Sequence, residues 1–161
     1  MLCGATMGNN KLNWCFGLKD GLKTVEPNET LAKSYLEEAK SSLERAEKNF
    51  NDNDLLWSTV VVYYAEYYAL YSFLQKIGIK CENHFCSILA TTYLLGEEKT
   101  KTIKQHKNKR IDAQYYMKVG KGDEVKRALQ EAKIFISMFD GIVSTLNEKE
   151  INSYRERLRI K

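Results

Sequence analysis

Ala32, Leu36, Ala39, Leu43, Ala46 and Phe50 recur at spacings of four and three, with charged and polar residues dominating the positions between them. That period draws one apolar stripe along a helix and predicts packing of bundle type. Asn28 can cap the start of this helix, Glu29 suits its first turn, and Asn51-Asp52-Asn53-Asp54 reads as the turn that ends it. The next stretch, 54–77, is apolar nearly all round and stops at Gly78, a residue suited to a left-handed cap. A helix apolar on every side belongs at the centre of a domain. Glu66 breaks that apolar wall, and a buried carboxylate needs a cationic or hydrogen-bonding partner.

Further helices are expected over 83–95, closing at Gly96, and over 100–119, stopping at Gly120-Lys121-Gly122. A last long helix begins at Asp123-Glu124, with Val125, Ala128, Leu129, Ala132, Ile136, Phe139, Val143 and Leu146 on one face. The pattern predicts an all-α, up-and-down four- to five-helix bundle over 27–147. Residues 1–26 read as a loosely ordered lead-in with a short helix around 10–18. Residues 148–161 read as a basic helical extension, with Ile151, Tyr154 and Leu158 on one side.

Composition changes little in this picture. The 161 residues suit one domain, and with Pro27 as the single proline little in the chain breaks helices. Met1 to Gly17 shows no apolar run before a cleavage site, so the expected location is cytoplasmic. The run from Leu55 to Leu74 approaches membrane-spanning length, but Glu66 and five tyrosines interrupt it, and no membrane partner is expected. Cysteines stand at 3, 15, 81 and 86. Cys81, His84 and Cys86 lie close in sequence, yet no second Cys/His group has zinc-site spacing. The expectation is therefore buried or idle thiols, no metal and no cofactor.

Charge matters more. From Lys99 to Arg127 ten Lys/Arg stand against three acids, a local +7 in a chain whose net charge is +4. Such a concentration attracts phosphates or an acidic partner, or else marks a solvated helix face. On a helical wheel, Ile103, Ala113 and Met117 share a sector with His106 and Arg110. An inward guanidinium needs an anion, either Glu66 or a phosphate or acidic partner. A single inward histidine more often satisfies a local acceptor than it catalyses.

Three stretches carry a resemblance: SYLEEAKSSLERAEKNFNDND, STVVVYYAEYYALYSFLQKIGIKCENH and KNKRIDAQYY. Over about Leu31 to Leu146 the chain resembles the HEPN family (higher eukaryotes and prokaryotes nucleotide-binding), especially its small stand-alone archaeal and bacterial members. Active members resemble metal-independent ribonucleases, with an arginine followed after four to six residues by a histidine, commonly at a homodimer interface. Many are toxins paired with a nucleotidyltransferase antitoxin that can cap a nearby tyrosine with AMP. The chemistry suits the pair, since arginine neutralises the scissile phosphate and imidazole moves the proton of the attacking hydroxyl.

Carried over by position, Arg110 matches the arginine. Positions 115, 116 and 117 are Tyr, Tyr and Met, so no allowed spacing supplies the histidine, and the AMP-accepting tyrosine would fall at Met117. A phenol ionises near pH 10 and is a poor base at neutrality. The tentative catalytic set is Arg110, His106 and Tyr115. The candidate nucleotide or RNA contacts are Arg110, Gln114, Tyr116, Lys107, Lys109 and His84, with Glu66 as a structural pairing residue. Three readings remain open. The first is a toxin–antitoxin-type component that pairs with a nucleotidyltransferase, binds nucleotide or RNA and has weak or lost nuclease activity. The second is an active endoribonuclease. The third is a helical dimerisation module that uses its tyrosine-rich helix.

Overall fold

The structure is a computed structural model that describes residues 3–159, with side chains from Asn10 onward. Among the described residues it is an all-α bundle: α1 (Cys3–Gly17), α2 (Glu29–Asn51), α3 (Leu55–Ile77), α4 (His84–Leu95), α5 (Glu97–Tyr116), α6 (Gly122–Thr145) and α7 (Glu148–Arg159). Two short strands, β1 (Lys23–Thr24) and β2 (Ile79–Lys80), pair antiparallel, Lys23 opposite Lys80.

α3 is the axis of the molecule and touches α2, α4, α5, α6 and α7. Its residues fill the core with Tyr63, Leu70, Phe73, Leu74 and Ile77, all fully buried. Asp54 caps its start through the Trp57 N–H, and Gly78 ends it at φ +76°. The stripe expected on the first long helix faces inward on α2, where Ala32, Ala39 and Ala46 are fully buried. Those small residues let α3 approach closely. Its buried serines complete the seam: Ser72 donates to the Ala32 carbonyl at 2.7 Å and Ser58 to the Ala46 carbonyl at 2.9 Å. Each satisfies a hydroxyl that would otherwise be costly to bury.

Several boundaries differ from expectation. The fifth helix starts at Glu97, directly after Gly96, and stops at Tyr116 rather than running to 119. Met117 takes a left-handed conformation, φ 54°, and the Lys118 N–H turns back to the Asp112 carbonyl at 3.0 Å. Met117 is therefore 72% exposed and not part of the apolar face assigned to it. The lead-in holds a helix over Cys3–Gly17, longer than the 10–18 expected; the ends of the chain, 1–2 and 160–161, lie outside the described residues.

The expectation of idle thiols is overturned for two cysteines. α1 folds back onto α4, bringing the Cα atoms of Cys15 and Cys86 to 5.6 Å, and the two form a disulfide. Cys81 is a free, buried thiol, and burial pushes its pKa up.

The C-terminal segment is a separate helix docked by arginines. Arg155 Nη1 donates to the carbonyls of Val25, Ile77 and Gly78, the first two at 2.8 Å. Arg157 donates to those of Tyr93 and Leu94. Both side chains thus satisfy carbonyls left open at the ends of α3 and α4. No described helix is long and apolar enough to cross a membrane.

Candidate functional site

α5 crosses α3 so that two inward polar residues meet different partners. His106 is 1% exposed and sits between two carboxylates: Nδ1 lies 2.7 Å from Glu66 and Nε2 lies 2.9 Å from Glu131. Burial opposes protonation of this imidazole, but Glu66 and Glu131 outweigh it and hold the pKa above the ordinary histidine value. Burial likewise pushes the Glu66 pKa up, against the pull of His106. Glu66 therefore meets His106 rather than Arg110 through Oε1, while its buried Oε2 has no partner among the described residues. With both ring nitrogens engaged, His106 has none to offer a substrate.

Arg110, one turn further along, is half-buried and meets no carboxylate among the described residues. Its guanidinium carbon lies 5.0 Å from the Tyr63 ring centre, 5.7 Å from Tyr64 and 6.0 Å from Tyr115. Nη1 donates to Gln114 Oε1 at 3.2 Å, and the buried Nε has no partner among the described residues. Aromatic faces favour a cation but do not accept its in-plane N–H groups as an anion would. The donor capacity of this arginine is left open.

His84, the first residue of α4, completes the cluster. Its ring stacks on Tyr67 at 3.8 Å between centres, and Nδ1 lies 2.9 Å from the Tyr63 hydroxyl. Burial, then the positive charges of Arg110 and Lys107, push its pKa down to about 4. The imidazole is therefore neutral at physiological pH. Tyr63 is fully buried, and Nδ1 is the one acceptor its hydroxyl reaches among the described residues. The phenol therefore donates to Nδ1, and the remaining proton sits on Nε2, which has no partner among the described residues. Lys107 stands beside this group; burial and Arg110 lower its pKa, and its ammonium lies 5.5 Å from the Phe85 ring centre.

The structure thus gathers Arg110, Gln114, Tyr115, His84 and Lys107 from the sequence-based set. It separates Lys109, which lines a different cavity of about 240 Å³ with Asp112, Lys118 and Glu124. Tyr116 is 66% exposed at the end of α5 and has no ring or cation contact with Arg110 among the described residues. Tyr63 and Tyr64 were missed as site residues because their apolar surroundings read as core. No group of three or more His, Cys, Asp or Glu among the described residues could hold a metal ion.

Fold and site together define an all-α bundle that keeps a half-buried arginine, without an acidic partner, against its central helix. The model of the HEPN domain family matches residues 32–142, well over half of the chain. The protein belongs to the HEPN family. No curated protein and no solved structure gives a significant match.

Proposed function

We propose that this HEPN protein binds the phosphate of a nucleotide or RNA at Arg110, within a toxin–antitoxin-type pair whose other member is a nucleotidyltransferase, and that it does not itself cut RNA. The observation that carries the reading is a guanidinium caged by Tyr63, Tyr64 and Tyr115 with no carboxylate among the described residues to neutralise it. An unpaired half-buried cation is destabilising on its own and is relieved when an anion arrives. Lys107 adds charge, and His84 offers a neutral N–H donor.

The same geometry argues against cleavage. His106 has no free nitrogen, and His84 carries its free-side proton rather than a lone pair. A general base must accept the hydroxyl proton, and no neutral imidazole acceptor faces the site. The exposed Tyr115, Tyr116 and Met117 at the end of α5 suit a homodimer or the nucleotidyltransferase partner.

The test is binding of ATP to Arg110→Ala and Arg110→Lys, with thermal melting alongside. Arg110→Ala is expected to lose at least tenfold in affinity, with the fold intact and partial retention by Arg110→Lys. ATP binding by Arg110→Ala at wild-type strength defeats the site. Arg110-dependent, metal-free RNA cleavage by purified protein replaces this reading with the ribonuclease one. Co-purification with the product of an adjoining nucleotidyltransferase reading frame tests the pairing.

A further inference from the structure

Next to Arg110 lies a second feature, to which the N-terminal helix contributes. Between α1, α4 and α5 runs a groove of about 310 Å³ walled by Lys11, Lys104 and Lys107 and floored by Phe85, Ile88 and Leu89. No acidic residue lines it among the described residues. Lys104 is paired with Glu97 outside the groove, whereas Lys11 and Lys107 have no carboxylate partner among the described residues. Two large aromatic rings stand open at its side: Trp14 is 55% exposed and Phe85 43% exposed, set edge to face at 6.3 Å. Water contact of two such rings is unfavourable. The Cys15–Cys86 disulfide lies one residue from each ring and fixes the two helices that carry them.

We propose that this groove is a stacking subsite for single-stranded RNA whose neighbouring phosphate is held at Arg110. Charge and ring placement favour that occupant. Cations that follow a backbone, beside exposed aromatic faces on which bases stack, are how single strands are bound without sequence preference. Lys107 links the two sites: it lines the groove, and its charge acts on Arg110 and His84. His84 and Phe85 are consecutive residues, the first within the field of Arg110 and the second under Lys107. The inference rests on the phosphate reading of Arg110 but draws on Trp14 and Lys11, which lie outside the family-matched segment. An acidic protein segment is the rival occupant, and it makes less use of two open rings.

The experiment uses the full chain in a Trp57→Phe background, so that Trp14 alone reports. Oligoadenylate is expected to quench Trp14 fluorescence. Trp14→Ala and Phe85→Ala, measured by anisotropy of labelled oligoadenylate, are expected to weaken binding about tenfold each, within the range for loss of one stacked base. Lys11→Glu, which leaves both rings in place, is expected to weaken oligoadenylate binding and to flatten its salt dependence. Unquenched Trp14 with wild-type oligoadenylate affinity in both ring variants overturns the groove, even where Arg110→Ala abolishes ATP binding. Quenching of Trp14 by polyglutamate but not by oligoadenylate overturns it in favour of the protein partner. If Arg110→Ala leaves ATP binding intact while oligoadenylate still quenches Trp14, the phosphate site falls and the groove stands.

Discussion

The Tyr63 hydroxyl and Nδ1 of His84, twenty-one residues apart, lie 2.9 Å from each other and decide which way the imidazole faces. Because the buried phenol must donate, the histidine presents N–H rather than a lone pair beside Arg110. A position that could have held a base instead holds a donor.

Tyr63→Phe removes the group that fixes this tautomer. ATP affinity is expected to fall about threefold to tenfold, the scale of one ordinary hydrogen bond, with Arg110 still in place. Isothermal titration calorimetry against the wild type checks it, and unchanged affinity would mean that Nε2 does not meet the ligand.

The chain has two histidines, and they should titrate apart. By proton NMR, His84 is expected to protonate only near pH 4, where burial and its cationic neighbours place it. His106 is expected to stay protonated above the ordinary histidine range because two glutamates outweigh its burial. Coincident titration of both rings near the free value would contradict the arrangement.

The two shifts have opposite signs for stability. For His106 the folded pKa is raised, so its contribution is complete below about pH 6.5, the unfolded value, and is lost as pH rises through the folded one. Glu66, raised by burial, works in the same direction. For His84 the folded pKa is depressed, so its contribution is complete above about pH 6.5 and is lost as pH falls towards 4. Melting temperature should therefore fall on both sides of that pH. His84→Asn should flatten the acid limb and His106→Asn the alkaline one, the latter at a cost of about 3–5 kcal/mol for breaking a buried pair.

Reduction of Cys15–Cys86 opens a covalent link across a separation of 71 residues. A loop of that size is worth about 2–4 kcal/mol, so dithiothreitol or Cys15→Ser should lower the melting temperature by roughly 5–15 °C. Thiol titration after denaturation should find two fewer reactive groups in the oxidised protein than in the reduced one.

Gly78→Ala should destabilise the protein by at least about 1–2 kcal/mol through its left-handed backbone alone. An added Cβ would also press on Arg155 and on the Val25 carbonyl, so the measured loss by urea denaturation should exceed that figure.

Local signals made much of the fold legible in the sequence. The stripe from Ala32 to Ala46 and the stop at Gly78 depend on residues within a turn or two of each other. Glu66 announced that it needed a partner, but His106 and Arg110 are four residues apart on nearly one bearing. Which of them meets it depends on how far α5 slides along α3, a quantity no periodicity contains. The end of α5 was misplaced because Met117 adopts the conformation that a glycine would have signalled, and the nearest glycine is Gly120. The Cys15–Cys86 bridge and the Tyr63–His84 contact arise from chain reversals and had no sequence pattern to betray them.

Arg155 reaches back seventy-seven residues to the Gly78 carbonyl, and that has a consequence for order of assembly. During synthesis the central helix emerges long before the side chain that closes its end. Until Arg155 leaves the ribosome, the carbonyls of Val25 and Ile77 must rely on water, while that of Gly78 still accepts from the Val25 N–H. α7, made after the core helices, thus acts as the latch on the end of α3, and a nascent chain stalled before it would carry the family's bundle unlatched.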